Sequence, residues 1–279
     1  MGAQWMLVAG FLFGCMGVFA KFGAEHYSSM ELVFYRSFFG LLVVYAIIRQ
    51  QGGSVATKQM AGHLWRGISG TIALMLFFYC ITELPLATAV TLNYTSALFL
   101  ALLVTLVLKE RFHAPLSFAI GLGFIGVVLL LHPTLERNQV ITGLLGLVSG
   151  FLAGIAMLNV RQLAVGGEPE WRVVFYFSLI ATIGSGAVML LGDIHPVNLR
   201  NLPVLLGMGA SATFAQLAMT RAYGTGKTLV VGGLSYSAVV FAGLFGILFW
   251  GESLPVSGWL GMALIITGGV LSLKLSPKM

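Results

Sequence analysis

The chain is divided into ten apolar segments, each about as long as a helix that crosses a lipid bilayer, which takes about 20 mostly apolar residues. They cover approximately residues 3–22, 30–48, 66–82, 86–108, 114–131, 142–163, 172–191, 203–222, 228–250 and 255–274. Only 9% of the 279 residues are charged, whereas an ordinary soluble domain has about 25%. So few polar side chains could not cover a soluble surface. The sequence therefore predicts an all-α polytopic membrane protein with ten transmembrane helices in one membrane domain.

The basic residues lie mostly in the short connections between the apolar segments. With a cytoplasmic amino terminus, 11 of the 15 Lys and Arg residues fall on the cytoplasmic side and 3 on the other, and Arg36 falls within the second span. Such an asymmetry indicates membrane orientation and not a nucleic-acid partner. We therefore expect a multi-pass protein of a bacterial-type inner membrane, monomeric or homodimeric, with both termini cytoplasmic.

The two halves of the chain repeat one another at a nearly constant offset. The segment Gly10–Gly14 returns as Gly150–Gly154, 140 residues later, and Tyr94 returns as Tyr236, 142 later. Each copy holds five spans, an odd number, so the second copy enters the membrane from the opposite side. The sequence thus predicts two inverted five-helix repeats, residues 1–137 and 138–279, around a central cavity. Inverted repeats are a recurring construction of secondary transporters.

Enzyme chemistry finds little support in the sequence. The five histidines never fall in HExxH spacing, both cysteines lie in apolar segments, and the only aspartate is Asp193 in a loop. The GxGxxG pattern at 121–126 lies within a span, where helix packing explains it better than a dinucleotide. We expect no enzyme activity, no cofactor and no metal. A channel stays open as an alternative, although no ring of charges or carbonyls is evident.

Three segments carry a resemblance to a known family: Phe34–Phe39 with the arginine of the second span, Leu108–Phe112 and Trp250–Leu254. The last two each precede a glycine-containing span. With these features the chain resembles the EamA-type transporters of the drug/metabolite transporter superfamily over nearly its whole length. The resemblance implies ten helices, a central cavity lined by spans 3, 4, 8 and 9, and export of amino acids, metabolites or drug-like compounds. The repeat partner of Arg36 is Phe177, so any role of that arginine is not doubled.

Polar groups deep in a bilayer are costly unless they find a partner or water, so mid-span polar residues are the candidates for a substrate site. The first set occupies matched places in spans 4 and 9: Asn93, Tyr94, Ser235 and Tyr236. Further candidates are Tyr79, Asn159, Gln216 and Arg36. Hydrogen bonding that only holds the helices together is the competing interpretation. For Lys21 and Arg36 the competing interpretation is different. Both lie near the outer ends of spans 1 and 2, where they can reach the membrane surface or pair with Glu25 or Glu31.

The acidic residues bear on the energy source. All eight glutamates, Glu110 and Glu252 among them, lie at or beyond helix ends. Proton-coupled carriers often use a buried carboxylate as a relay, and the sequence shows none within a span. We therefore expect a carrier that works by facilitated diffusion or exchange and exports amino acids or related metabolites. Uptake of a vitamin or nucleoside-like cofactor is the second expectation.

Overall fold

The computed structural model describes residues 2–84, 86–107, 114–131, 139–251 and 253–275, and their regular structure is helical. The helices are α1 (Gly2–Gly23), α2 (Ser29–Gln50), α3 (Met60–Glu83), α4 (Leu86–Tyr94), α5 (Ser96–Val107), α6 (Ala114–Leu131), α7 (Val140–Val165), α8 (Glu170–Met189), α9 (Leu202–Thr225), α10 (Thr228–Leu234), α11 (Ser237–Trp250) and α12 (Val256–Leu275). The all-helical prediction is confirmed. Some of the sequence predictions fall outside the described residues. These are the repeat boundary at 137/138, Glu110, Glu252 and the segment Leu108–Phe112.

Nine helical segments of the described chain are long and apolar enough to cross a membrane. The remaining predicted span, the third, corresponds to α3, which is 24 residues long but begins with a more polar stretch. Two spans differ from the prediction of single continuous helices. The span predicted at 86–108 is divided into α4 and α5, and the span predicted at 228–250 into α10 and α11.

Helix α3 begins at Met60, six residues before the predicted start of the third span. Arg66 is the first residue of the predicted span and one of the 11 basic residues counted on the cytoplasmic side. It therefore lies in the second turn of α3, and only 4% of its surface is exposed.

Local sequence signals determine several helix ends. Helix α2 begins with a capping box, in which the Ser28 hydroxyl accepts from the Glu31 amide and the Glu31 carboxylate accepts from the Ser28 amide. Each bond satisfies a backbone or side-chain group that the first turn would otherwise leave unpaired. Helix α11 ends at Gly251, whose φ of 62° lies in the left-handed region that favours glycine.

The packing of the helices is nearly unchanged when the two halves are exchanged. Helix α1 packs along α9 as α3 packs along α7, and α1 contacts α11 as α7 contacts α5. The pairs α2–α8 and α6–α12 each join a helix to its own counterpart. This is the contact pattern of a pseudo-twofold axis between the halves, as the repeat in the sequence predicts.

Glycines bring α6 and α12 into backbone contact. A Cβ atom on Gly126 would stand 2.6 Å from the carbonyl oxygen of Gly261 and 2.8 Å from the backbone nitrogen of Ile265. A Cβ atom on Gly261 would stand 2.6 Å from the Gly126 carbonyl oxygen in return. Backbone atoms cannot move aside as a flexible side chain can, so both positions require glycine. Small residues at such crossings are a general means of close helix packing in membranes.

We expect Gly126→Ala and Gly261→Ala to lower the free energy of unfolding by about 1–3 kcal/mol, the usual cost of overpacking. Gly121→Ala is the matched control on the same helix, because no atom stands within 4 Å of its Cβ position. The control should be neutral or slightly stabilising, since alanine favours helix. Unfolding of the three variants in detergent micelles measures the difference. Equal stability of Gly121→Ala and Gly126→Ala would contradict the backbone contact.

Candidate substrate-binding site

The interruptions of the two divided spans are bonded in the same way. In the first, the Thr95 hydroxyl donates to the carbonyl of Leu92 at 2.5 Å. In the second, the Ser235 hydroxyl donates to the carbonyl of Gly232 at 2.6 Å. Each hydroxyl adds a second bond to a carbonyl three residues back, which also accepts the backbone N–H of the same Thr or Ser at 3.2 Å. Irregular backbone at membrane depth is tolerated where protein or a cavity surrounds it, and broken helices often mark the binding site of a carrier.

The two interruptions bring together the tyrosines that the sequence pairs. The ring centroids of Tyr94 and Tyr236 are 6.1 Å apart, with the planes inclined by 58°. Tyr236 is completely buried, and its hydroxyl has no hydrogen-bond partner among the described residues. Its ring also lies 6.4 Å from that of Phe124 on α6. Gly123 makes room for it, because a Cβ there would stand 2.8 Å from the Tyr236 ring.

A third tyrosine, Tyr223, adjoins this pair and was not among the sequence candidates. It is completely buried on α9, and its hydroxyl lies 3.3 Å from the sulfur of Met157. The same hydroxyl stands 3.9 Å from a Cβ position on Gly232, in the turn that precedes the interruption of span 9. A signal was present in the sequence, since Gln216, Thr220 and Tyr223 have the i, i+4, i+7 spacing of one helix face.

The remaining amide and hydroxyl candidates divide into two groups. Asn93 donates to the Ser149 hydroxyl at 3.4 Å, and Ser149 donates to the carbonyl of Ala73 at 2.7 Å, so this chain of bonds joins α4, α7 and α3. Asn93, like the internally bonded Ser235, thus already serves packing. By contrast, the side-chain nitrogens of Asn159 and Gln216 are buried and have no partner among the described residues. Buried polar groups are normally satisfied, so these two are free to bond to a solute or to water.

Tyr79 and Arg36 lie away from the tyrosine pair. Tyr79 on α3 is 42% exposed, and Arg36 on α2 is 7% exposed. The expected pairing of Arg36 with Glu31 is wrong. Glu31 is completely buried and instead accepts hydrogen bonds from the backbone nitrogen of His195 at 2.7 Å and from its ring Nδ1 at 2.9 Å. The side chain of Lys21 lies 4.1 Å over the ring of Trp250.

Two cavities open at opposite ends of the bundle, and neither is lined by the eight predicted residues. One, of about 370 Å³, lies at the end that holds the amino terminus and is lined by α1, α2, α8 and α9. We call this end the N-terminal face. The other, of about 930 Å³, lies between the end of α1 and the connection before α9. Neither cavity includes the tyrosine pair, in which Tyr236 is completely buried and Tyr94 is half-buried.

One family of known proteins matches both halves of the chain. The model of the EamA-like transporter family matches residues 1–132 and 140–274. The chain belongs to the EamA-like transporter family. The resemblance expected from the sequence is therefore confirmed.

Relatives of this EamA-like transporter carry transport names. It is 30% identical to the pseudopaline exporter CntI of Pseudomonas aeruginosa over 97% of its own length and 92% of that protein. It is 26% identical to the riboflavin transporter of Vibrio cholerae, covering 95% and 90% of the two chains. It is 24% identical to the S-adenosylmethionine uptake transporter of Rickettsia prowazekii, covering 99% and 93%. The protein is a transporter of small solutes.

A solved crystal structure shares the fold of this EamA-like transporter. The two superpose with a TM-score of 0.87, and the match covers 99% of this chain and 97% of the other at 19% identity. At that identity the likeness concerns the arrangement of the helices alone. It agrees with the helical architecture described above.

Near the N-terminal face, a buried carboxylate fastens the transporter's α2–α3 connection to its α7–α8 connection. Glu168 accepts a short hydrogen bond from the Thr57 hydroxyl and a bond of 2.7 Å from Arg172 Nη1. The Nε2 atom of His63 lies 3.4 Å away. Burial would raise the pKa of the Glu168 carboxyl, but the hydrogen bonds from Thr57 and Arg172 outweigh burial and hold the pKa below its usual value. Carboxylates at helix ends can thus be buried, which the sequence did not indicate.

The lowered pKa makes a pH-dependent contribution to folding. The ionised Glu168 stabilises the protein at any pH above the ordinary value of 4.5, and this contribution is lost as the pH falls through the lowered folded-state pKa. We expect Glu168→Gln to lower the free energy of unfolding at pH 7 by about 1–3 kcal/mol and the difference to shrink below pH 4.5. Glu170→Gln is the control, because Glu170 is more exposed and its pair with Arg221 spans 3.7 Å. An effect of equal size at both positions would contradict this assignment.

The unpartnered hydroxyl of Tyr236 gives a second prediction. Tyr236→Phe removes a buried hydroxyl that has no partner among the described residues, so the ligand-free protein should be as stable as the wild type or slightly more stable. If a solute uses the hydroxyl, transport should fall about 2- to 10-fold, the value of one neutral hydrogen bond. Tyr45→Phe is the control, because Tyr45 lies on α2 and is 47% exposed. Reduced stability of Tyr236→Phe together with normal transport would assign the hydroxyl to packing.

Proposed function

We infer that this protein is an alternating-access carrier that exports small organic solutes, most simply amino acids or related metabolites and drug-like compounds, from the cytoplasm. The observation that carries this proposal is the exchange symmetry of helix packing between the halves. When two inverted halves adopt slightly different conformations, an exchange of those conformations turns a cavity open to one side into a cavity open to the other. The division at 137/138 into two inverted repeats is part of the proposal.

The proposed site lies where the halves meet, around the interruptions of spans 4 and 9. It includes Tyr94 and Tyr236, whose flat faces and hydroxyls suit an aromatic or amine-bearing solute. The unpartnered nitrogens of Asn159 and Gln216 add hydrogen-bond donors. Asn93 and Ser235 shape the interruptions, while Tyr79 and Arg36 belong to neighbouring surfaces of α3 and α2.

Export is favoured over uptake by the relative with the highest identity quoted above, which is named as an exporter. Uptake of a vitamin or nucleoside-like cofactor is the second candidate function. The names of the riboflavin and S-adenosylmethionine uptake relatives support it at 26% and 24% identity. Placement of both termini in the cytoplasm, in a bacterial-type inner membrane, rests on the distribution of basic residues between the connections.

Facilitated diffusion or exchange fits the acidic residues better than proton coupling. The two buried carboxylates of the described chain, Glu31 and Glu168, lie at helix ends. Both are held by hydrogen bonds, Glu31 by Ser28 and His195 and Glu168 by Thr57 and Arg172. A proton relay requires a carboxylate that is released during the cycle, whereas these two are bonded to the connections that they fasten.

The test is uptake of labelled solutes into proteoliposomes, amino acids first, with and without a pH gradient. We expect saturable flux that competing solutes inhibit and that does not depend on the pH gradient. Tyr94→Ala and Tyr236→Ala should reduce this flux about 10-fold or more, because each removes a ring that contacts the proposed solute space. Trp259→Ala on α12 is the control, since Trp259 is 54% exposed.

Each outcome of this test distinguishes the alternatives. Flux of a vitamin or nucleoside-like compound without flux of amino acids would favour the second candidate. Flux that does not saturate would favour a channel. Equal flux in all three variants at normal protein levels would remove the proposed tyrosine site.

A further inference from the structure

Two arginines are buried where the first half of the chain meets the second. Arg36 on α2 is 7% exposed and Arg66 on α3 is 4% exposed, and the two lie within electrostatic range of each other. Like charges repel, and charges within a membrane protein are rare, face its interior and mark solute pathways when they occur. Two buried arginines that interact electrostatically therefore require an explanation.

The guanidinium of Arg66 lies at the middle of its helix. A Cβ atom on Gly70 would overlap Nη1 of Arg66, so the side chain runs along α3 to the level of Gly70. Gly70 is the eleventh of the 24 residues of α3, or about 15 Å along a helix of about 36 Å. The charge thus points away from the nearer helix end. A lysine or arginine that merely avoids lipid extends toward the membrane surface instead.

Both halves of the chain surround this pair. The Arg66 guanidinium lies 4.1 Å over the ring of Phe177 on α8. A Cβ on Gly40, one turn after Arg36, would lie 3.2 Å from the Ser178 hydroxyl on α8 and 3.0 Å from the Thr213 hydroxyl on α9. The site is therefore built from α2 and α3 of one half and α8 and α9 of the other. Binding sites of carriers lie between the two halves, as this one does.

No acidic residue of the described chain neutralises the pair. Glu31, Glu168 and Glu170 form their ion pairs with His195, Arg172 and Arg221. The other described acidic residues are exposed, at or beyond helix ends: Glu25, Glu83 and Asp193. In addition, Nε and Nη1 of Arg66 are buried with no hydrogen-bond partner among the described residues. Arginine that serves only packing normally has its donors satisfied.

We propose that Arg36 and Arg66 form a site for the oxyanion group, carboxylate or phosphate, of a small organic solute that this carrier transports. The planar fork of a guanidinium binds two oxygens of such a group at once, and the unpaired nitrogens of Arg66 are available for it. The face of Phe177 holds the guanidinium in place when the site is empty. This inference rests on the proposed transport function and adds the charge of the solute.

The asymmetry between the halves agrees with this assignment. Phe177 occupies the place in the second half that Arg36 occupies in the first, 141 residues earlier. Symmetric copies of both arginines in the second half would bring four positive charges to the axis. One half instead supplies both charges, and the other supplies an aromatic face and the hydroxyls of Ser178 and Thr213.

The test measures thermal unfolding of the full-length protein in detergent at constant ionic strength. The probes are L-glutamate and succinate as carboxylates, glycerol 3-phosphate and inorganic phosphate as phosphates, and L-glutamine and succinamide as neutral counterparts. At least one anion should raise the melting temperature by about 3–8 °C at 100 times its Kd. The neutral counterparts should have no such effect. The class of anion that acts decides between carboxylate and phosphate.

Variants separate a binding role from a structural one. Arg36→Met and Arg66→Met should each weaken the binding of the anion about 10- to 100-fold, because a charge-assisted hydrogen bond is lost. Without ligand, their melting temperatures should equal or exceed that of the wild type, because an unpaired buried charge has been removed. Arg66→Lys should keep part of the affinity, since it retains the charge without the fork. Arg49→Met is the control on α2, because Arg49 is exposed and the anion shift should persist.

Three results would overturn the proposal: no shift of the wild type with any of the four anions, an equal shift with the neutral counterparts, or an unchanged shift in Arg66→Met. Failure of this inference can be distinguished from failure of the transport function. Saturable flux of a solute in proteoliposomes without anion binding would leave the carrier intact and remove the anion site. Arginine-dependent anion binding without any flux would do the reverse.

Discussion

Every backbone amide and carbonyl within a bilayer needs a partner inside the protein, because lipid offers none. This constraint explains why the described regular structure is helical, and it also determines where the helices can stop. Spans 4 and 9 are interrupted where a side-chain hydroxyl, of Thr95 or of Ser235, accounts for a carbonyl near the break. The tyrosine pair lies beside these interruptions, where the backbone departs from the regular helical ladder.

The bundle combines two kinds of helix contact with different consequences. Between α6 and α12 the backbones touch through Gly126 and Gly261, so this contact has little freedom to change without a clash. Between α2, α3, α8 and α9 the contact contains arginines, hydroxyls and an aromatic face. Polar groups of this kind can exchange partners at small cost, whereas close-packed backbones cannot. The second interface is therefore better suited to change during a transport cycle, with the first as a fixed frame.

Most of the fold could be predicted from the sequence, because length and hydropathy determine a span almost independently of its neighbours. The proximity of Tyr94 and Tyr236 could also be predicted, because the two occupy equivalent places in the repeats and symmetric positions meet near the axis. The interruptions could not be predicted, because Ser and Thr side chains also bond to preceding carbonyls within continuous helices. Tyr223 was missed because its helix face is visible only at i, i+4 and i+7 spacing, with Leu217, Ala218 and Met219 between Gln216 and Thr220 and with Arg221 and Ala222 between Thr220 and Tyr223. The burial of Arg66 was not predicted, because a hydropathy window cannot tell a charge at a helix end from one whose side chain extends to mid-helix.

The burial of Glu31 could not be predicted from the sequence either. Glu31 lies in the first turn of α2, where it completes the capping box with Ser28. The connection that covers it, with His195, is 164 residues away in sequence, so no local pattern contained the information. Tertiary contacts of this range determine which helix ends are buried and which are wet.

The groups that remain unsatisfied in the described chain are concentrated among α3, α7, α9 and the interruption of span 9. They include the nitrogens of Arg66, Asn159 and Gln216 and the hydroxyl of Tyr236. In a protein selected only for stability such groups would be paired or replaced, because each one raises the free energy of the empty folded state. Their retention is understandable if a polar solute satisfies them in turn as it passes. On this view the instability of the empty site favours the next binding event, and the symmetric frame around it allows that event to occur from either side.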